Sequence, residues 1–254
     1  MNRLIKAISF IRPPLLGFFW MSVCLADLPD TIERVKPSIV AIGTYQKTQS
    51  PPFAFRGTGF AIANGNKIAT SAHVLPEPGG ADTPELAILV RSPRGESSIR
   101  RATIASKDAE HDLAILHIDG PPLPALTIGS TTSVREGQEV AFTGFPIGGV
   151  LGFSPITHRG IVSAFTPIAI PGANSNQLNE KLIKQIRRGT FNVFQLDATA
   201  YPGNSGSPVY HTHSGEVIGV INMVFIKGSK EAVLSNPSGI SYAIPANYLT
   251  ELLR

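Results

Sequence analysis

The chain has 254 residues, 43% of them hydrophobic and 16% charged, which suits a domain with a real core and excludes both a disordered segment and a small disulfide-stapled scaffold. Lys and Arg total 22 against 18 Asp and Glu, but Arg3, Lys6 and Arg12 lie in the first 26 residues, which hold no acid. The rest of the chain is near neutral and lacks the cationic surplus that phosphate binding requires, so nucleic acid is not an expected partner.

The N-terminus reads as an export signal. Arg3 and Lys6 precede an apolar run from Leu15 to Ala26, and Cys24-Leu25-Ala26 gives a small-x-small cleavage site before Asp27. The alternative is a membrane anchor, since Ala7 to Ala26 nearly spans a bilayer; Arg12 would cost about 2.5–3.5 kcal/mol if it sat centrally in the bilayer. Cys24 is the only cysteine, so a chain cut at Ala26 must be stabilised by packing without disulfides, even in an oxidising compartment.

Short apolar runs separated by turn residues follow: Ile39–Tyr45, Gly59–Ala63, Lys67–Ser71, Leu86–Arg91, Ala102–Ser106, Leu113–Ile118, Val140–Thr143, Gly160–Phe165, Val193–Asp197, Val217–Phe225 and Ile240–Ile244. Such spacing predicts an all-β fold. Asn64-Gly65 marks a hairpin, because its tight turn needs residues that accept positive φ. Pro121, Pro122 and Pro124 predict a stiff extended link between a first lobe at 33–120 and a second at 130–245. No internal repeat is visible. Two segments leave the β pattern. Leu178, Leu182, Ile183 and Ile186 share one helical face over 177–188, with Lys181, Lys184, Arg187 and Arg188 on a solvated outer face. Ala246–Leu253, after Pro245, predicts a terminal helix.

Three places carry chemistry. Tyr201-Pro202-Gly203-Asn204-Ser205-Gly206-Ser207-Pro208 sets a serine in a glycine-rich turn whose backbone N–H groups can be left free. Thr70-Ser71-Ala72-His73-Val74 ends an apolar strand with a histidine, and His111-Asp112 stands just before another apolar run. Each alone reads as ordinary structure. Together they supply a hydroxyl, the imidazole that would take its proton, and the carboxylate that would fix the imidazole tautomer. Among the other polar groups, His211-x-His213 falls at a hairpin tip without a third ligand, so no metal is expected. His117 and His158 read as ordinary strand residues, His111 is given no role, and Asp197 reads as a hydrogen-bonded structural acid.

Gly57-Thr58-Gly59-Phe60, Thr70–Val74, Asp112–Leu116, Gly144-Phe145-Pro146, Arg159–Ala164, Gln195–Ala198, Gly203–Pro208 and Tyr242–Pro245 resemble, in order, the trypsin-like serine proteases of the HtrA (Deg) branch. The resemblance implies two six-stranded antiparallel β-barrels over residues 27–254, with the inserted helix, a C-terminal helix at 246–254 and an active site between the barrels. It implies His73 as general base and then acid, Asp112 as its orienting carboxylate, and Ser205 as nucleophile. The N–H groups of Gly203 and Ser205 would form the oxyanion hole. No cofactor is implied, and the partner would be a protein or peptide substrate; a membrane enters only if the leader stays uncleaved.

Departures from the pattern refine the expectation. Ser207 and Ser241 stand where the family usually has glycine, the second beside the primary specificity pocket, which would make that pocket smaller or more polar. Thr199, six residues before Ser205, offers no buried acid for a Lys or Arg side chain, so small or medium apolar side chains are expected at the cleavage site. The chain ends at Arg254, which predicts no PDZ domain, and the segment from Thr166 to Phe191 is the expected place for any control of the oxyanion turn. Two functions follow: an exported, periplasmic or secreted serine endopeptidase, or a catalytically silent peptide-binding module with the same cleft.

Overall fold

A computed structural model describes residues 27–77, 83–92, 95–148, 152–167, 191–222 and 239–254. The leader at 1–26, the helix expected at 177–188 and the end of the run at 217–225 lie outside these residues. Twelve strands form among those described: β1 (Ile39–Tyr45), β2 (Phe53–Ile62), β3 (Lys67–Ser71), β4 (Glu85–Arg91), β5 (Ser97–Asp108), β6 (Leu113–Ile118), β7 (Glu139–Gly144), β8 (Ile156–Pro167), β9 (Asn192–Asp197), β10 (Pro208–His211), β11 (Val217–Asn222) and β12 (Ile240–Pro245). Helix α1 (Leu28–Val35) precedes them and α2 (Ala246–Leu252) ends the chain.

The first six strands close into a barrel in the order β1-β2-β3-β6-β5-β4, and the last six close in the matching order β7-β8-β9-β12-β11-β10, all pairs antiparallel. The two halves therefore repeat one topology that leaves no trace in the sequence. Asn64-Gly65 does make the β2–β3 turn, with Gly65 at φ +83°. Closure also removes unpaired edges.

Burial explains why several strands are apolar at every position instead of alternating. In β1, Val40 and Ile42 point into the first barrel, whereas Ile39 and Ala41 join a cluster shared by both barrels. In β6, Ala114, Leu116 and Ile118 face inward while Leu113 and Ile115 join that shared cluster. In β11, Ile218 and Ile221 fill the second barrel, and Val217 and Val220 turn to the seam. Fully burying each such side chain contributes about 1.5–3 kcal/mol, so the seam is a core in its own right. Along the extended link, Leu126 N–H donates to Ala61 O (2.9 Å) in the first barrel, and Val217 N–H donates to Thr127 O (2.9 Å) in the second. Helix α2 leaves β12, packs on β11, and reaches across to β5 and β6.

Several differences from the sequence reading have local causes. Helix α1 was not expected; Asp27 caps it, its side chain accepting from Leu28 N–H (2.7 Å), with Pro29 in the first turn. Thr31 and Arg34 tie α1 to His213 O (3.0 and 3.1 Å) at the β10–β11 turn. Strand β10 is four residues long and starts at Pro208, hidden against the glycine-rich turn. The expectation for Asp197 is corrected: the residue is exposed at the end of β9, without a side-chain hydrogen bond among the described residues.

The seam should dominate stability. Ile115→Ala, at a position 1% exposed between the barrels, is expected to cost about 2–5 kcal/mol, and Ile104→Ala, 48% exposed on β5, to stay within about 0.5 kcal/mol. Urea unfolding of the two variants beside the parent chain measures the contrast.

Candidate active site

His73 sits in a single 3₁₀ turn, Ala72–Val74, that ends β3. Ala72 N–H donates to Asp112 O (2.9 Å), and Arg56 braces the exit of the turn by donating to Val74 O (2.6 Å) and Leu75 O (3.0 Å). Asp112 stands at φ +53°, just before β6. That left-handed backbone costs on the order of 1–3 kcal/mol even for a residue type that tolerates it, so neighbours must hold it. Its carboxylate accepts three hydrogen bonds: His73 N–H (2.8 Å), His73 Nδ1 (2.5 Å) and Asn222 Nδ2 (2.7 Å). With the Nδ1 proton committed to Asp112, Nε2 is left as an acceptor, and it lies 2.9 Å from Ser205 Oγ. His73 and Asp112 come from the first barrel and Ser205 from the second, so the structure brings together at the seam three groups 39 and 93 residues apart in sequence.

The turn that presents Ser205 is fixed from all sides. Asn204 N–H donates to Tyr201 O and Ser207 N–H to Asn204 O, each 2.9 Å, making two successive tight turns. Gly206 lies at φ +86°, and a Cβ there would stand 2.1 Å from Thr58 O, so only glycine fits. Thr58, buried in β2, is the main brace: its N–H donates to Ser205 O (2.9 Å), its hydroxyl donates to Gly203 O (2.7 Å), and it accepts from Phe145 N–H (3.0 Å). Ile147 N–H donates to Pro202 O (2.7 Å). Because C=O and N–H point in opposite directions across a trans peptide, that bond turns the Gly203 N–H away from Ile147. Among the described residues, neither the Gly203 N–H nor the Ser205 N–H donates a hydrogen bond.

The remaining candidates fall around this turn. Ser207 is fully buried with its Oγ against Gly144, where a Cβ would lie 2.0 Å away, and Asn204 is equally buried. Among the described residues, neither the Ser207 Oγ nor the Asn204 Oδ1 or Nδ2 has a partner. Ser241 is also buried; its hydroxyl donates to Ala198 O (2.6 Å) and accepts from Ala200 N–H (3.0 Å), so both functions are spent on the backbone beside Thr199, which is half-buried. His211 accepts from Gln138 Nε2 (2.7 Å). His158 stacks on Phe142 (4.9 Å, 18°), and burial pushes its pKa down. His111 was given no role by the sequence, yet its Nδ1 lies 2.6 Å from Asp108 Oδ2 and its ring stacks on Tyr248 (3.8 Å, 17°). Burial raises the Asp108 pKa, but hydrogen bonds from the His111 ring, from His111 N–H and from Glu110 N–H outweigh it and hold the group below its ordinary value.

Comparison with known proteins shows the family and the fold. The family model for the trypsin-like peptidase domain matches residues 57–220. The chain belongs to the trypsin-like peptidase family. A probable periplasmic serine endoprotease, DegP-like, from Pseudomonas fluorescens is 32% identical over 189 residues, covering 74% of this chain and 32% of that protein. The mitochondrial serine protease HTRA2 of Bos taurus is 30% identical over 233 residues, covering 89% of this chain and 42% of that protein. The chain thus spans about a third to two fifths of the length of these curated relatives. The solved HtrA-type protease AlgW with tripeptide superposes with a TM-score of 0.59 at 26% identity, over 89% of this chain and 62% of that one. A serine endoprotease from Yersinia pestis shares the fold, with a TM-score of 0.60 at 23% identity, over 90% and 65% of the two chains.

Asn222 is a residue of this candidate site that sequence reasoning missed. A lone polar residue, fully buried at the end of an otherwise apolar strand, was the available signal. A hydrogen bond to a charged group contributes about 1.5–3 kcal/mol, so Asn222→Ala is expected to slow covalent modification of Ser205 by a fluorophosphonate about 10- to 100-fold. Stopped-time labelling of folded protein checks this.

Proposed function

We propose that the chain is an exported serine endopeptidase that cleaves peptide bonds through an acyl-enzyme. The observation that carries this reading is the unbroken chain of contacts from Asp112 through His73 to Ser205, 2.5 and 2.9 Å long, beside two backbone N–H groups that have no partner among the described residues. Ser205 Oγ attacks the scissile carbonyl carbon while His73 Nε2 takes its proton. Asp112 holds the ring orientation and stabilises the imidazolium. Negative charge develops on the carbonyl oxygen, where the Gly203 and Ser205 N–H groups receive it; losing one such donor typically costs about 10²–10³ in rate. The imidazolium then gives its proton to the leaving amine, the C–N bond breaks, and an ester to Ser205 remains. Water, activated by the same imidazole, hydrolyses that ester and releases the new carboxylate.

The substrate is a protein or peptide with a small or medium apolar side chain at the cleavage site. Thr199 supplies no counter-charge for Lys or Arg, and Ser241, its hydroxyl already bonded on both sides, adds no free polarity to the wall. Export rests on the basic and apolar leader at 1–26 and agrees with the periplasmic designation of the DegP-like relatives. No helix of the described residues is long and apolar enough to cross a membrane. Residues 27–254 form the protease domain, with the barrels at about 33–120 and 130–245.

A fluorophosphonate probe tests the reading. The mature protein should form an adduct on Ser205, located by peptide mass mapping, and Ser205→Ala and His73→Ala should abolish it. Asp112→Asn should lower peptide turnover by about 10⁴, because the ring loses the partner that fixes its tautomer. Absence of both adduct and hydrolysis in folded protein would instead make this a silent peptide-binding module.

A further inference from the structure

The contact between His73 and Ser205 joins side chains carried by different barrels, and a misplacement of about 1 Å at such a contact can cost about 10²-fold in rate. Immediately behind Asp112, one group of side chains crosses the same seam. The His111 ring lies face to face on Tyr248 of α2, with centroids 3.8 Å apart and planes at 17°, and meets the edge of Phe191 at 4.5 Å. Phe191 and Tyr248 also touch each other, at 5.4 Å and 70°. Both belong to the second barrel's chain, Phe191 preceding β9 and Tyr248 following β12, whereas His111 belongs to the first.

His111 is held at its other end as well. Its Nδ1 pairs with Asp108 Oδ2 (2.6 Å), and Asp108 Oδ1 accepts from the N–H groups of Glu110 (2.9 Å) and His111 itself (3.1 Å). Ring and backbone of residue 111 are thus fixed, and the strained Asp112 is the very next residue, at φ +53°. A second tie lies nearby, where Ser106 Oγ donates to Leu252 O (3.4 Å) at the end of α2.

We propose that His111 and Tyr248 are positioning residues, which with Phe191 form an aromatic clamp across the seam that keeps Asp112, and through it His73, in register with Ser205. This rests on the triad reading above. The clamp touches no substrate, so its loss slows the chemical step and leaves substrate binding intact.

The test compares His111→Ala, Tyr248→Ala, Tyr248→Phe and the double alanine variant with the parent, all in the mature chain and well below each variant's melting temperature. His111→Gln, which can still bond Asp108 but has no aromatic face, replaces His111→Ala if that variant does not fold. Each single alanine variant should lower kcat and the rate of Ser205 phosphonylation about 10-fold or more, with KM within about twofold. Tyr248→Phe, which keeps the stacking face, should restore the rate, and the double variant should lose little more than the worse single one. Parent-like kcat in both single variants overturns the clamp, as does a loss that only follows the unfolded fraction or is shared by Tyr248→Phe. A parent chain that forms no adduct on Ser205 overturns the triad reading and the clamp together, whereas a His73-dependent adduct beside undiminished His111→Ala turnover overturns the clamp alone.

Discussion

Everything at this site depends on a contact that neither barrel can make by itself. The His73 ring meets the Ser205 hydroxyl at 2.9 Å across the seam, and such a distance survives only if the two barrels behave as one body. The strands supply that rigidity by burying both faces. Ile39, Leu113 and Ile115 from one side and Val217, Val220 and Ile244 from the other fill a common cluster, while their neighbours in sequence fill the barrel interiors. Close packing of this kind resists small displacements far better than a wet interface would. Hydrogen bonds then set the fine register: Thr58 N–H to Ser205 O and Ser71 Oγ to Ile221 O both run from the first barrel to the second.

Thr58 links that register to the Ser205 turn. It engages Ser205 and Gly203 by their carbonyls, while the carbonyls across the peptide from the Gly203 and Ser205 N–H groups, Pro202 O and Asn204 O, accept from Ile147 and Ser207; among the described residues the two N–H groups have no partner. Unpaired donors are ordinarily costly, and their presence together with the positive φ of Gly203 and Gly206 fits the charge-receiving role proposed for this segment. The seam thus sets the position of Ser205, and bonds within the second half of the chain set the direction of the two N–H dipoles.

The sequence reveals most of this for reasons that can be traced residue by residue. Apolar runs such as Leu113–Ile118 and Val217–Ile221 announce strands because burial on two faces leaves almost no polar interruption. The glycine and proline punctuation around Ser205 is legible because the turn's backbone geometry admits few other residues. What stays hidden depends on distance in the fold. Asn222 acquires meaning only when β11 lies beside Asp112, and His111 only when α2 folds back over the first barrel. Helix α1 was legible in part, since Asp27 followed by Pro29 is a start signal, but the sequence reading takes the same aspartate as the first residue after an expected leader. The matching order of the two barrels leaves no sequence trace because a shared topology constrains which faces are buried, not which apolar residue buries them.

The two serines expected to stand in place of family glycines differ in how the fold accommodates them. Ser241 replaces the missing freedom of a glycine with two hydrogen bonds, joining β12 to the 198–200 backbone and stiffening the wall next to Thr199. Ser207 has no such compensation. Among the described residues its buried Oγ has no partner, beside an Asn204 amide in the same condition, and each such group costs about 1–3 kcal/mol. It fits only because Gly144 has no Cβ to oppose it. The extra hydroxyl is buried against Gly144, so it burdens stability. A site whose reacting groups are set by packing across a seam can carry that burden, because the strain falls on the turn's support and the seam holds the support in place.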